Sequence, residues 1–247
     1  MPKHPQWTLV TESPALADDS SPFLRQLPTP LAQAVMASNI PPVQRALIQS
    51  PTPGVLEFTT TRPVPELQDG QVLIRVAAVA ISPWDWKTSL HFAVPGAGVG
   101  SDFSGTVVQL GPGAQKANPD LKIGDRVAGG SFGANPLNLQ EGAFAEYIAG
   151  WADQVWRVPN DMGFADAASL GFGSMGAVAL AVLHEEHLGL PGTPEHPVAG
   201  ATEPPPWVLV HGGSTATGTL AIQFVKQYDP RPWQVPEGTT LAHPTER

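Results

Sequence analysis

The placement of proline constrains this chain more than any other feature. It carries 28 prolines in 247 residues, about twice the usual ~5 % share, and they are clustered. Twelve precede residue 66, six lie between Pro191 and Pro206, and four between Pro230 and Pro244. Proline fixes φ, removes a backbone donor and is excluded from helix interiors and central strands. Regular structure is therefore concentrated between the clusters. Residues 1–35 mix Pro, Ser and Asp without sustained periodicity, which predicts a disordered extension reaching to about residue 38.

The first strand is expected at Val43 to Ile48. In Val72-Leu-Ile-Arg-Val-Ala-Ala-Val-Ala-Ile81, the residues Val72, Ile74 and Val76 share one face at strand spacing. Phe103 to Leu110 reads the same way and is closed by a Gly111-Pro-Gly113 turn. Further short strands follow Lys122-Ile-Gly-Asp-Arg-Val127, at Gly142 to Ile148 and at Gln154 to Val158. Many short strands with Gly/Pro turns and no intervening helices predict a barrel or sandwich. After Pro159 the period changes. Phe164 to Leu170 and Ser174 to Leu188 read as helices, the second with Met175, Val178, Ala179 and Val182 on one face. The Pro-rich linker 191–206 then leads to a buried strand at Trp207 to Val210, a Gly-rich turn, and a helix through Lys226.

Composition narrows the function. Thirteen Lys and Arg against 22 Asp and Glu give a net charge of −9, which argues against nucleic acid or an anionic membrane as the partner. There is no cysteine, so no disulfide framework and no thiolate-based zinc site can form. No stretch reaches the ~20 apolar residues of a membrane span. Met1 to Val10 lacks the apolar segment of a signal peptide, and the expected location is cytoplasmic.

Strand, Gly-rich turn and helix at 207–226 open a βαβ unit. Such a turn lets backbone approach a pyrophosphate, and the free N–H groups at the helix start attract negative charge. A plain Gly-rich turn fits the same residues, because the spacing is not G-x-G-x-x-G. His184 and His187 stand at metal-ligand spacing but read as a solvated helix end. Glu146 and Tyr147 alternate onto opposite faces of their strand and read as structural.

Five segments in order carry a resemblance. Ile81-Ser-Pro-Trp-Asp-Trp-Lys87 resembles the Asn-Pro-x-Asp-x-Lys loop of zinc-free medium-chain dehydrogenases/reductases, and Gly100-Ser-Asp-Phe-Ser-Gly-Thr-Val-Val108 resembles their Gly-x-Asp-Phe-x-Gly strand. Gly124-Asp-Arg-Val127, Gly142-Ala-Phe-Ala-Glu-Tyr147 and Val208-Leu-Val-His-Gly-Gly-Ser-Thr-Ala-Thr-Gly218 fall at the family's intervals. The similarity extends over Asn39 to Lys226 and points most closely to fungal trans-acting enoyl reductases.

That resemblance implies a GroES-like barrel at 39–190 with bridging helices, then an incomplete Rossmann domain at 207–247. It implies NADPH as cofactor, an enoyl thioester as substrate and a polyketide synthase as partner, with a quinone or enone reductase or a non-catalytic scaffold as alternatives. Trp84, Asp85, Trp86 and Lys87 would line the nicotinamide end, and Lys87 would steady the developing enolate. Gly213, Ser214, Thr215, Ala216, Thr217 and Gly218 would hold the pyrophosphate. Gly173, Ser174, Met175, Gly176, Ala177 and Val178 would shape the acyl site. His91 is the neutral-pH acid nearest the loop, with water as the other candidate proton donor. Zinc-using relatives carry a His-Glu pair where this chain has Ser101-Asp102, so no metal is expected.

Measured against the family, the chain reads as C-terminally truncated. After Lys226 only 21 residues remain (247 − 226), and one further strand–helix–strand passage takes roughly 30. The adenine and its ribose would lack a second strand to lie against. The expected NADPH affinity of the 247-residue chain is no better than roughly millimolar, about 4 kcal/mol of binding. A fluorescence titration on a monodisperse sample measures it, and a micromolar constant would reverse this expectation.

Overall fold

The computed structural model describes residues 40–171, 175–183, 187–188 and 208–228. The expected extension before residue 39 and the linker at 191–206 lie outside them. The chain divides into two compact units, one ending at Ala168 and the other beginning at Ser169.

The first unit is mainly β, as its alternation implied. Strands β1 (Val43–Gln49) and β2 (Leu56–Pro63) form an antiparallel hairpin. A second sheet contains β3 (Gln71–Ala80), β4 (Asp102–Leu110), β5 (Arg126–Gly130), β6 (Tyr147–Trp151) and β7 (Trp156–Arg157). Its order is β6-β3-β4-β5-β7 with every pairing antiparallel. The sheet is open at β6 and β7, and isolated bridges Ala46↔Ala145 and Ile48↔Gly98 tie the hairpin to neighbouring loops. Strand β2 escaped the sequence reading because its pattern is inverted for a buried strand. Leu56 and Phe58 are exposed, whereas Arg62 is buried.

Alternation along β3 and β4 divides the core. Val72, Ile74, Phe103, Val107, Val127 and Ile148 pack on one side. Leu73 and Val108 point the other way, against Val64, Leu67 and Ile123. Both faces of the central strands are thus covered. Arg45 and Glu146 clamp the hairpin to the segment before β6. The guanidinium donates to Glu146 Oε1 at 2.6 Å (Nη2) and 3.0 Å (Nε), and the Arg45 N–H donates to Oε2 at 2.8 Å. Those hydrogen bonds hold the Glu146 carboxyl below its ordinary pKa.

A helix that the sequence reading took for a loop, α1 (Pro83–His91), joins β3 to β4. Ser82 is its extended N-cap and Pro83 stands at the first helical position, where a missing N–H costs nothing. Asp85 Oδ2 accepts the Ser82 backbone N–H at 2.7 Å, the acidic half of a capping box. Asp85 Oδ1 accepts the Ser101 hydroxyl at 2.8 Å, which anchors the helix to the residue before β4. Two short helices complete the unit, α2 (Ala114–Ala117) and α3 (Phe164–Ala168). Ser104 Oγ donates to the Phe164 carbonyl at 2.6 Å and pins α3 to β4.

In the second unit, α4 (Ala177–Leu183) and α5 (Ala216–Tyr228) pack together. Met175, Val178 and Val182 meet Leu220, Ala221, Phe224 and Val225. Val208–Val210 does not form the expected strand: it has no ladder partner among the described residues, and Leu209 is exposed. Extended backbone becomes a strand only through a neighbour that takes its N–H and C=O groups. No helix of the described residues is long and apolar enough to cross a membrane.

Replacing Asp85 with Ala should cost roughly 2–3 kcal/mol, because it orphans two donors that now share one buried carboxylate. Urea unfolding reads this, and an unchanged midpoint would show that α1 needs no such anchor. Glu146→Gln should cost less, and its cost should depend on pH. The folded-state pKa of Glu146 is depressed, so its contribution is present above the unfolded carboxylate pKa and disappears as pH falls through the folded value. Thermal midpoints of wild type and variant should differ at pH 7 and converge well below pH 4; a constant gap would assign the loss to shape and not to charge.

Candidate functional site

The first group of candidate residues lies on α1. Its buried face is polar, formed by Asp85, Thr88 and Ser89. Thr88 Oγ1 donates to the Trp84 carbonyl and Ser89 Oγ to the Trp86 carbonyl, each at 2.9 Å, so these hydroxyls are satisfied within the helix. The large side chains consequently face outward: Trp84 and Trp86 are 50 % and 53 % exposed, and Lys87 and His91 are exposed. Lys87 and His91 stand one turn apart on the same side, with Trp84 a turn earlier. Lys87 Nζ lies 5.6 Å from the Trp86 ring centroid, a cation–π contact that orients the ammonium.

The structure therefore leaves Trp84, Lys87 and His91 exposed along one side of α1, with the exposed Trp86 beside Lys87. Asp85 is set apart from these four. It is 4 % exposed, and its carboxylate oxygens accept from Ser82 and Ser101. Its role is to hold α1 in place. Ser101 was missed as its partner because the two are 16 residues apart and only the fold closes the gap.

The second group lies at the start of α5. Gly212 adopts φ +80°, which L side chains disfavour. A Cβ at Gly218 would overlap the Gly212 carbonyl, so the helix can lie this close to the turn only with glycine there. Thr215 acts as a cap: its Oγ1 donates to the Gly212 carbonyl at 2.8 Å and accepts the Gly218 N–H at 3.0 Å. That hydroxyl is used internally, whereas Ser214, Ala216 and Thr217 are exposed. The first N–H groups of a helix have no intrahelical acceptor. Close glycine packing and open donors at the positive end of a 13-residue helix fit an anionic diphosphate.

The proposed acyl-site residues divide. Gly173 and Ser174 lie outside the described residues. Val178 is buried and, with the half-buried Met175, packs against α5. Gly176 is half-buried and Ala177 exposed. Among the described residues, no group of three His, Cys, Asp or Glu is arranged to hold a metal ion, and His184 lies outside them. Arg62 gave no sequence signal either. Its buried guanidinium donates to the carbonyls of Gly96, at 3.3 Å, and Leu139, and burial pushes its pKa down.

Comparisons with known proteins agree with this geometry. The alcohol dehydrogenase GroES-like domain matches residues 68–160. A trans-enoyl reductase of Thermothelomyces thermophilus is 58 % identical over 188 residues, covering 76 % of this chain and 51 % of that protein. A trans-enoyl reductase of Penicillium oxalicum is 43 % identical over 191 residues, 77 % of this chain and 49 % of that one. Among solved structures, the quinone oxidoreductase from Coxiella burnetii superposes with a TM-score of 0.53 at 30 % identity, covering 75 % of this chain and 54 % of its own. The chain thus spans about half the length of the curated relatives it matches. On these residues, this domain and these relatives, the chain contains an alcohol dehydrogenase GroES-like domain and is similar to trans-enoyl reductases over about half of their length.

Proposed function

We propose that this chain carries the substrate-side portion of a zinc-free, NADPH-dependent enoyl reductase acting in trans on an enoyl thioester of a polyketide synthase. The observation that carries the reading is the 58 % identity to a protein named as a trans-enoyl reductase. The absence of cysteine and the hydrogen-bonded Ser101 support the zinc-free branch. In this reading residues 39–190 form the catalytic domain with its bridging helices, 191–206 a linker, and 207–247 part of the dinucleotide-binding domain.

When bound, NADPH supplies a hydride for the β-carbon of the enoyl group. The diphosphate would lie against Gly213, Ser214, Ala216 and Thr217, where backbone donors and two exposed hydroxyls are available, while Gly218, its N–H given to Thr215, allows the close approach of turn and helix. On α1, the half-exposed rings of Trp84 and Trp86 provide a flat apolar surface for a nicotinamide or an acyl chain. Lys87 places a cation, steadied by Trp86, where negative charge on a thioester oxygen would be stabilised. The exposed imidazole of His91, one turn on, is the proposed proton donor for the α-carbon, with solvent water as the other source.

The similarity to a quinone oxidoreductase favours a second reading, reduction of a quinone or enone on the same scaffold. One experiment separates the two. Joined to the complete dinucleotide-binding half of a relative, the domain should oxidise NADPH when given a crotonyl thioester and do so poorly with a simple quinone. Lys87→Met should lower turnover about tenfold or more, with Lys87→Arg retaining most of it. Unchanged kinetics would reduce Lys87 to a surface lysine. Oxidation with neither substrate would favour a non-catalytic scaffold.

A further inference from the structure

The apolar surface of α1 continues past its tryptophans. Leu90 stands one turn beyond Trp86, at the spacing that makes helix side chains neighbours, and is 44 % exposed. The β1–β2 turn lies against this end of the helix. Its Gly54 N–H donates to the Ser89 carbonyl at 2.9 Å, and a Cβ at Gly54 would come within 3.2 Å of Leu90 Cδ1. Val55, next in the chain, is 46 % exposed, and Phe92, directly after α1, is exposed as well. Trp86, Leu90 and Val55 therefore follow one another as an apolar strip whose first ring lies beside Lys87.

The strip is uncharged and held in place. Residues 50–56 and 88–100 contain no Asp, Glu, Lys or Arg, in a chain of net charge −9. Pro51 and Pro53 restrict the turn. The Ser50 N–H donates to the Val55 carbonyl at 3.0 Å, and the Val55 N–H to the Thr52 carbonyl at 3.1 Å. Neighbouring apolar side chains left in water mark a binding surface, and the lack of charge argues against a phosphate or an ionic partner. A stable protein interface takes about 20–30 residues a side, and this strip has only a few. Its width suits a single hydrocarbon chain.

We propose that the strip binds the hydrocarbon chain of the acyl substrate beyond its thioester, and that Leu90 and Val55 select long acyl groups over short ones. The proposal rests on the reductase reading, which puts the thioester oxygen at Lys87. Leu90 lies one turn further on, ~4.5 Å along the helix axis, so the carbons beyond the reacting double bond are the ones that reach it. Continuity with that end identifies the occupant as the tail of the same molecule. A butanoyl chain ends near Leu90, whereas an octanoyl chain runs on to Val55.

Isothermal titration of the 247-residue protein with the octanoyl and butanoyl thioesters of N-acetylcysteamine tests the proposal. Both are saturated, so the readout does not depend on hydride transfer. The octanoyl thioester should bind about tenfold tighter or more, the scale of a few methylenes drawn out of water. Leu90→Gln and Val55→Gln, each on an exposed side chain, should each remove most of that preference while leaving butanoyl affinity and the thermal midpoint unchanged. Absence of saturable octanoyl binding would overturn the proposal, as would equal affinity for the two chains or a preference that persists in both variants. Turnover of a crotonyl thioester by the joined protein, without any preference for the longer chain, would overturn this subsite and leave the reductase reading standing. A preference lost in Leu90→Gln, in a joined protein that oxidises no NADPH, would keep the acyl subsite and overturn the reductase reading.

Discussion

A single buried carboxylate positions the candidate site. Asp85 is almost fully enclosed and divides its two oxygens between the start of α1 and the residue ahead of β4. Charge-assisted bonds of this kind are short and stronger than neutral ones, and an enclosed carboxylate without them would be costly. The helix is nine residues long, too short to be stable alone in water. Its inner face offers hydroxyls and a carboxylate where a typical amphipathic helix offers leucines. Polar anchoring of the inner face is what leaves two tryptophans and a lysine free to point outward.

The sheet behind α1 supplies the rigid frame for that anchor. β4 lies between β3 and β5, and its inward residues Phe103 and Val107 are fully buried. Just before β4, Gly100 adopts φ +96° with no space for a Cβ beside the Phe144 ring. Ser101 therefore leaves a backbone fixed on both sides, by the sheet ahead and by this contact behind. The Ser101–Asp85 bond transmits that rigidity to the helix. The Arg45–Glu146 clamp serves the hairpin in a similar way at the opposite end of the chain segment, where two exposed strands alone would be marginal.

Much of the β framework was legible because buried strands declare themselves by alternation. Val72, Ile74 and Val76 predicted β3, and the Gly111-Pro-Gly113 turn predicted where β4 ends. The motif at 81–87 was legible as a resemblance, although its helical form was not: α1 buries its polar residues and exposes its apolar ones, which inverts the pattern used to recognise a helix. β2 was missed for the same reason. At Val178 composition did not reveal packing against α5, because a small-residue stretch that packs and one that opens onto a ligand have the same composition.

Residue identity alone determined the elements whose physics is local. Proline excludes regular ladders, glycine permits the left-handed turn at Gly212, and absence of cysteine forbids a thiolate metal site. The GroES-like resemblance was readable too, because five short motifs in order are each tied to a local turn or strand. Tertiary structure decided everything that joins distant segments: Asp85 as anchor of α1, Glu146 as clamp, and Arg62 as a buried cation on two carbonyls. Each depends on groups brought together across 3 to 101 residues of chain. Hydrogen-bond partners are selected by distance and direction in space, and sequence order carries neither once the chain has folded back on itself.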